Sequence, residues 1–81
     1  MRINLAAFVF FGKVVNMADT FIALVLDDSG NVISSSAHIN LESAEEYGTT
    51  VNARKPSSAG FYTVEIYKND SSCKVEEFVL I

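Results

Sequence analysis

The sequence predicts an α+β protein: an antiparallel sheet of about five strands, with one short helix on one face. Val and Ile together number fifteen, against five Leu, and β-branched side chains favour strands over helices. Apolar runs of strand length alternate with clusters of Asp, Asn, Ser and Gly that are typical of turns. One segment near residue 45 has helical spacing instead. The expected element order is therefore β-β-β-α-β-β.

Composition limits the protein to a few classes. The chain has 81 residues, of which 49% are hydrophobic and 20% charged, which predicts a single folded domain over residues 1–81. The lone Cys73 excludes an internal disulfide framework and favours a reducing, cytoplasmic compartment. The net charge is −4 and the six basic residues are scattered, so no nucleic-acid partner is expected, because such binding depends on clustered Lys and Arg.

Residues 3–15 are predicted to form a long first strand, and residues 20–26 a second. In both runs the two alternating sets of side chains are largely apolar, which is typical of strands covered on both faces. The first run also resembles a weak signal sequence. Lys13 interrupts it, however, and it is too short to cross a membrane, so neither a cleaved signal nor a membrane span is expected.

Residues 27–31 predict a hairpin turn, because Gly30 can adopt a positive φ and the Asp and Ser side chains can accept turn hydrogen bonds. Residues 32–39 then form a third strand. One of its faces carries Ile33, Ala37 and Ile39, and the other carries Val32, Ser34, Ser36 and His38. The mostly polar second set predicts an outer strand.

Residues 43–54 are the ambiguous segment. Ser43 followed by Glu46 matches a capping box, and the stripe of a buried helix face appears at Ala44, Tyr47, Gly48 and Val51. Pro56 ends the segment. The alternative makes residues 47–54 a strand and the protein an all-β, immunoglobulin-like sandwich. The start, stripe and stop signals agree with one another, so we favour the helix.

The last third of the chain predicts a hairpin. Residues 61–68 alternate, with Tyr62, Val64 and Ile66 on the apolar side, and residues 73–81 return after a turn at 69–72. Cys73 alternates with Val75, which predicts a small, buried, unreactive side chain.

No catalytic chemistry is apparent in the sequence. The one imidazole, His38, has no nucleophile-elbow motif to serve, and the phosphate-binding and dinucleotide fingerprints are absent from the sequence. One His and one Cys cannot supply the four ligands of a structural zinc ion. We therefore expect no catalytic residues, no metal, no cofactor and no enzymatic activity.

The informative feature is the two-sided apolarity of the first two strands, because one short helix can cover only one face of the sheet. Monomers seldom leave large apolar patches exposed, so we predict a small protein-interaction module that forms a homodimer or binds another protein partner. The candidate interface residues are Phe8, Phe10, Phe11 and Phe21. Two alternatives remain: a structural or surface-associated immunoglobulin-like domain, and a small-ligand-binding protein whose pocket is lined by Phe8, Phe21, Tyr47 and Tyr62.

Overall fold

The structure, a computed structural model, describes residues 19–81 in full and describes two short strands, at 7–10 and 13–16, by their backbone alone. The α+β class is confirmed. The elements in chain order are β1 (Ala7–Phe10), β2 (Lys13–Asn16), β3 (Phe21–Leu26), β4 (Val32–His38), α1 (Leu41–Ala53), β5 (Tyr62–Lys68) and β6 (Lys74–Leu80).

Four strands form one antiparallel sheet in the order β4-β3-β5-β6. Two hairpins, β3–β4 and β5–β6, lie side by side, and α1 connects them. A bulge at Ile33 interrupts the pairing of β4 with β3, and a bulge at Val75 interrupts the pairing of β6 with β5. The prediction that the third strand lies at an edge of the sheet is confirmed, and the helix packs on one face only.

The single long strand expected over residues 3–15 is wrong for its described part. Ala7 pairs with Asn16 and Phe10 with Lys13, so β1 and β2 are the antiparallel strands of a hairpin. A continuous apolar pattern is the same for one long strand and for two paired ones, and only Gly12 marks the division in the sequence. The rest of the predicted strand, residues 3–6, 11 and 12, lies outside the described residues.

The turn between β3 and β4 is built as predicted. Asp27 Oδ1 accepts hydrogen bonds from the backbone N–H groups of Ser29 and Asn31, both at 2.9 Å, and Gly30 has a φ of +84°. Hydrogen bonds from the Asn31 and Ser29 backbone hold the pKa of Asp27 below its usual value.

The helix predicted over residues 43–54 is confirmed as Leu41–Ala53, and it excludes the all-β sandwich. The capping box at Ser43 is wrong, because the N-cap is Asn40, whose Oδ1 accepts a hydrogen bond from the Ser43 N–H at 2.7 Å. Asn is as good an N-cap as Ser, and the helix begins one turn earlier. At its other end the Arg54 N–H donates to the Val51 carbonyl at 3.1 Å.

The core lies between α1 and the inner strands of the sheet. Its buried members come from β3, α1 and β5: Ala23, Val25, Ala44, Tyr62, Val64 and Ile66. The predicted helical stripe is confirmed, since Ala44 and Gly48 are buried and Tyr47 and Val51 pack at the border of this cluster. The core of the described residues is therefore small, and the only fully buried side chains larger than Ala are Ile66, Val25 and Val64.

The turn between β5 and β6 contains Asn69, the one described residue other than Gly with a positive φ, at +69°. The Lys68 N–H donates to the Cys73 carbonyl at 2.8 Å and closes this turn. Cys73 itself is exposed and precedes β6. The expectation that its side chain is buried is therefore wrong, because the strand begins one residue later than the alternation indicated.

Candidate interaction surface

The face of the sheet opposite α1, here called the open face, carries an apolar stripe along the central strand. Ala23 and Val25 are fully buried beneath the helix. Successive side chains of a strand point to opposite faces, so the other three side chains of β3, namely Ile22, Leu24 and Leu26, lie on the open face. All three are half-buried by their neighbours within the sheet. We call these three residues the apolar stripe.

The β4 side of the open face is uncharged. Ala37 lies opposite Ile22, and Ser35 lies opposite Leu24. At the bulge, Val32 is 54% exposed and Ile33 is 44% exposed. Small and apolar side chains therefore extend the apolar stripe sideways to the edge of the sheet.

The other side of the open face is ionic. Lys74 Nζ lies 2.6 Å from Glu77 Oε1 and 3.6 Å from Glu65 Oε2, and the Tyr67 hydroxyl donates to Glu65 Oε1 at 2.8 Å. The contact with Glu77 raises the pKa of Lys74, and the bond to Glu65 raises the pKa of Tyr67. Glu65, Tyr67, Lys74 and Glu77 form what we call the ionic cluster, in which two carboxylates face one ammonium group.

On the helix side, polar groups join β4 to α1. The hydroxyls of Ser34 and Tyr47 are hydrogen-bonded to each other, and the Tyr47 hydroxyl donates to the Ser35 carbonyl at 3.2 Å. His38 Nδ1 lies 2.8 Å from Ser43 Oγ, and the His38 and Tyr47 rings are 5.4 Å apart. The polar set of β4 therefore faces the helix, and hydrogen bonds replace apolar packing at this edge.

The His38–Ser43 contact does not form a catalytic triad among the described residues. The Ser43 hydroxyl occupies Nδ1, and Nε2 is buried without a hydrogen-bond partner in the part of the chain that the structure describes. A general base needs a second group that orients the imidazole. This contact joins the first turn of the helix to the edge strand.

The predicted interface residues fall in different places. Phe21 packs against the core on the helix side, so it does not lie on the open face. The side chains of Phe8, Phe10 and Phe11 lie outside the described residues. The two-sided apolar pattern of β3 was predicted correctly. The interface was assigned to its aromatic residue, Phe21, whereas the side chains on the open face are the aliphatic ones. The period-two alternation from Ala23 and Val25 is the signal that identifies the stripe.

The predicted ligand pocket is not seen in the described part of the chain, where no cavity is enclosed. Tyr47 lies at the junction of α1 and β4, whereas Tyr62 is buried in β5, with the Lys55 ammonium 5.2 Å from its ring centroid. The predicted pocket was also to be lined by Phe8, whose side chain lies outside the described residues, and by Phe21; it stays a prediction.

No family model, curated protein or solved structure matches this chain. Within residues 19–81, His, Cys, Asp and Glu side chains do not gather in a group of three that could hold a metal ion. No helix of the described residues has the length and hydropathy that crossing a membrane requires. The open face, whose apolar stripe has no helical cover, is the candidate functional surface of the described residues.

Proposed function

We propose that this chain is a small, non-enzymatic protein-interaction module that forms a homodimer through its open face. The apolar stripe is the observation that carries the proposal. A helix of 13 residues is about 20 Å long and covers one face of the sheet, which leaves Ile22, Leu24 and Leu26 without helical cover. Contiguous apolar patches of this kind mark interaction sites in soluble proteins.

The small core supports a second copy as the partner. A chain of this size buries only about 60% of the surface that it exposes when unfolded, and few large side chains of the described residues are fully buried. A twofold dimer is the commonest way for a small protein to bury more apolar surface. We place the module in a reducing, cytoplasmic setting, which suits the exposed thiol of Cys73.

Sedimentation velocity of two matched variants tests this proposal. Leu24→Glu puts a charge in the middle of the apolar stripe, whereas Thr50→Glu puts the same charge on the exposed surface of α1. We expect Leu24→Glu to sediment as a monomer and Thr50→Glu to sediment as a dimer, like the unmodified chain. A Leu24→Glu variant that remains dimeric would contradict the proposal.

A milder variant provides for the case in which Leu24→Glu fails to fold. Leu24→Thr keeps a side chain that favours strands but reduces the apolar area of the stripe. We expect Leu24→Thr to retain the circular dichroism spectrum of the unmodified chain. Its dimer should have a larger dissociation constant, so that it is already dissociated at protein concentrations at which the unmodified dimer is intact. An unchanged dissociation constant would count against the open face as the interface.

A further inference from the structure

We infer that the two copies of the dimer stack open face to open face with their β3 strands running in the same direction, so that the β4 side of each copy covers the β5 side of the other. This inference rests on the proposed dimer and adds the orientation of its second copy. It follows from three properties of the open face: the size of the side chains beside the apolar stripe, their charge, and the position of the ionic cluster.

The open face is thin on its β4 side and thick on its β5 side. Residues that pair directly across neighbouring antiparallel strands have side chains on the same face of the sheet. Beside β3, the open face therefore carries Ser35 and Ala37 on β4, and Glu65 and Tyr67 on β5. Ser35 and Glu65 flank Leu24, the middle residue of the apolar stripe. Two small side chains thus stand on one side of the stripe, and two long ones stand on the other.

A twofold dimer of aligned, stacked sheets has two possible orientations. The axis lies midway between the two sheets and runs either along β3 or across the strands. With the axis along β3, the two stripes meet in parallel and the sides are exchanged, so that β4 lies over the partner's β5. With the axis across the strands, every strand lies antiparallel over its own counterpart. Sheet twist rotates the strands by about 30° but leaves the same sides in contact.

Side-chain size favours the axis along β3. With Leu24 at the centre, that axis places Ala37 against the partner's Tyr67 and Ser35 against the partner's Glu65, so that a small residue receives a long one at each position. The axis across the strands places Ser35 against the partner's Ser35 and Glu65 against the partner's Glu65, which leaves a gap on one side and steric overlap on the other. Interfaces pack about as densely as protein interiors, and only the first orientation permits this.

Charge favours the same orientation. The Glu65 carboxylate is part of the ionic cluster, with Lys74 Nζ at 3.6 Å. The axis across the strands would place this carboxylate opposite its own counterpart, and like charges that face each other across an interface oppose association. The axis along β3 places it opposite Ser35, which is uncharged and whose hydroxyl can donate a hydrogen bond to a carboxylate.

The position of β6 is the third property. The sheet has the order β4-β3-β5-β6, so β4 is one strand from β3, whereas β6 is two strands away on the other side. With the axis along β3, the partner's β4 covers β5 and its sheet ends there. The exposed side chains of Lys74 and Glu77 then stay in water at the rim. An apolar centre with a polar rim is the usual anatomy of an interface.

An isotope-filtered nuclear Overhauser measurement on the full chain tests the inference. Chain labelled with ¹³C at its Ala methyl groups is mixed with unlabelled chain, and the two are refolded together. We expect a cross-peak between the Ala37 methyl group of the labelled copy and the Tyr67 ring of the unlabelled one. Within one copy these residues flank β3 and lie two strand spacings apart, about 10 Å, which is too far for such a cross-peak. A cross-peak from Ala37 to Val32 across copies, or none to Tyr67 in a dimer, would overturn the inference.

Two charge variants at one exposed position give an independent measurement. With the axis along β3, Ser35→Lys faces the partner's Glu65 and should lower the dissociation constant at least about fivefold, whereas Ser35→Glu should raise it by a similar factor. Adding Glu65→Gln to Ser35→Lys should abolish the gain. With the axis across the strands, position 35 faces itself, so both variants would weaken the dimer. Weakening by both, or no change in either, would contradict the inference.

The two proposals fail in distinguishable ways. If Leu24→Glu dissociates the dimer but Ser35→Lys and Ser35→Glu both weaken it, the open-face dimer stands and the orientation is wrong. If the intact chain is monomeric, or if its contacts across copies do not reach the open face, both proposals are wrong. That result would assign the open face to another part of this chain or to a different protein.

Discussion

Gly48 of α1 rests directly on Val64 of β5. A β-carbon built on Gly48 would lie 2.6 Å from Cγ2 and 2.8 Å from Cγ1 of Val64, and Val64 is fully buried. Glycine in the middle of a helix costs about 1 kcal/mol relative to alanine. That cost is offset here, because the missing side chain lets the helix backbone approach the sheet closely enough to bury Ala44 and Val64.

Gly48→Ala should therefore destabilise the fold. The added methyl forces α1 away from Val64, and overpacking of this kind costs about 1–3 kcal/mol, which exceeds or cancels the gain in helix propensity. Urea denaturation of Gly48→Ala and of Thr50→Ala, an exposed position on the same helix, checks this. Thr50→Ala should be neutral or stabilising. A Gly48→Ala variant as stable as Thr50→Ala would show that the helix does not pack this closely.

Tyr47→Phe should lower the free energy of unfolding by about 1 kcal/mol, the usual net value of a hydrogen bond. It removes the hydroxyl that contacts Ser34 and donates to the Ser35 carbonyl. Combining Tyr47→Phe with Ser34→Ala should cost less than the two single changes added together. Tyr62→Phe is the matched control, because no hydrogen bond of its hydroxyl is seen among the described residues. Equal losses of unfolding free energy in Tyr47→Phe and Tyr62→Phe would show that the Tyr47 hydroxyl does not join α1 to β4.

Glu76 should make stability depend on pH. A hydrogen bond shared with the Glu45 carboxyl, followed by burial and repulsion from Glu45, raises the pKa of Glu76 above its usual 4.5. A raised folded-state pKa stabilises the protein fully below pH 4.5, and this contribution is lost as the pH rises through the folded-state value. Glu76→Gln should remove this loss of stability with rising pH, whereas Glu46→Gln, at an exposed position of α1, should leave it in place. Parallel pH profiles of the two variants, measured by urea denaturation, would contradict this.

Replacing Asn69 with alanine should destabilise the fold more than replacing it with glycine. Its side chain bonds to Asp19 and to the Thr20 N–H, and its φ of +69° strains any residue with a β-carbon. Asn69→Gly loses the hydrogen bonds, about 1 kcal/mol, but relieves the strain. Asn69→Ala loses the bonds and keeps the strain, so it should be the less stable by roughly another 1 kcal/mol. Thermal denaturation that ranks Ala above Gly would show that the turn has another conformation.

The sequence was sufficient to predict those elements whose local signals agree with one another. A strand could also be drawn through residues 47–54, but the start signal, the stripe from Ala44 to Val51 and the stop at Pro56 together favour a helix, so α1 was predictable. The turn at Asp27 to Asn31 was equally clear, because Asp and Gly satisfy its backbone in a specific way. In both cases, local chemistry and side-chain periodicity agree.

Features that depend on distant contacts were not predictable. Ser34 and His38 of β4 face the helix, where Tyr47 and Ser43 supply their hydroxyl partners, and that pairing crosses from one element to another. The N-cap lies at Asn40 rather than Ser43 because two good capping residues stand one turn apart and packing of the helix selects between them. The apolar stripe was visible as alternation in β3, but only the position of α1 shows which set of side chains remains on the open face.

The central claim is that the open face joins two copies of this chain, and the mass of the intact protein in solution tests it most directly. Light scattering coupled to size-exclusion chromatography, over a range of micromolar concentrations, should give twice the chain mass of 8.9 kDa, with dissociation only on dilution. A mass of 8.9 kDa at every concentration would contradict the account.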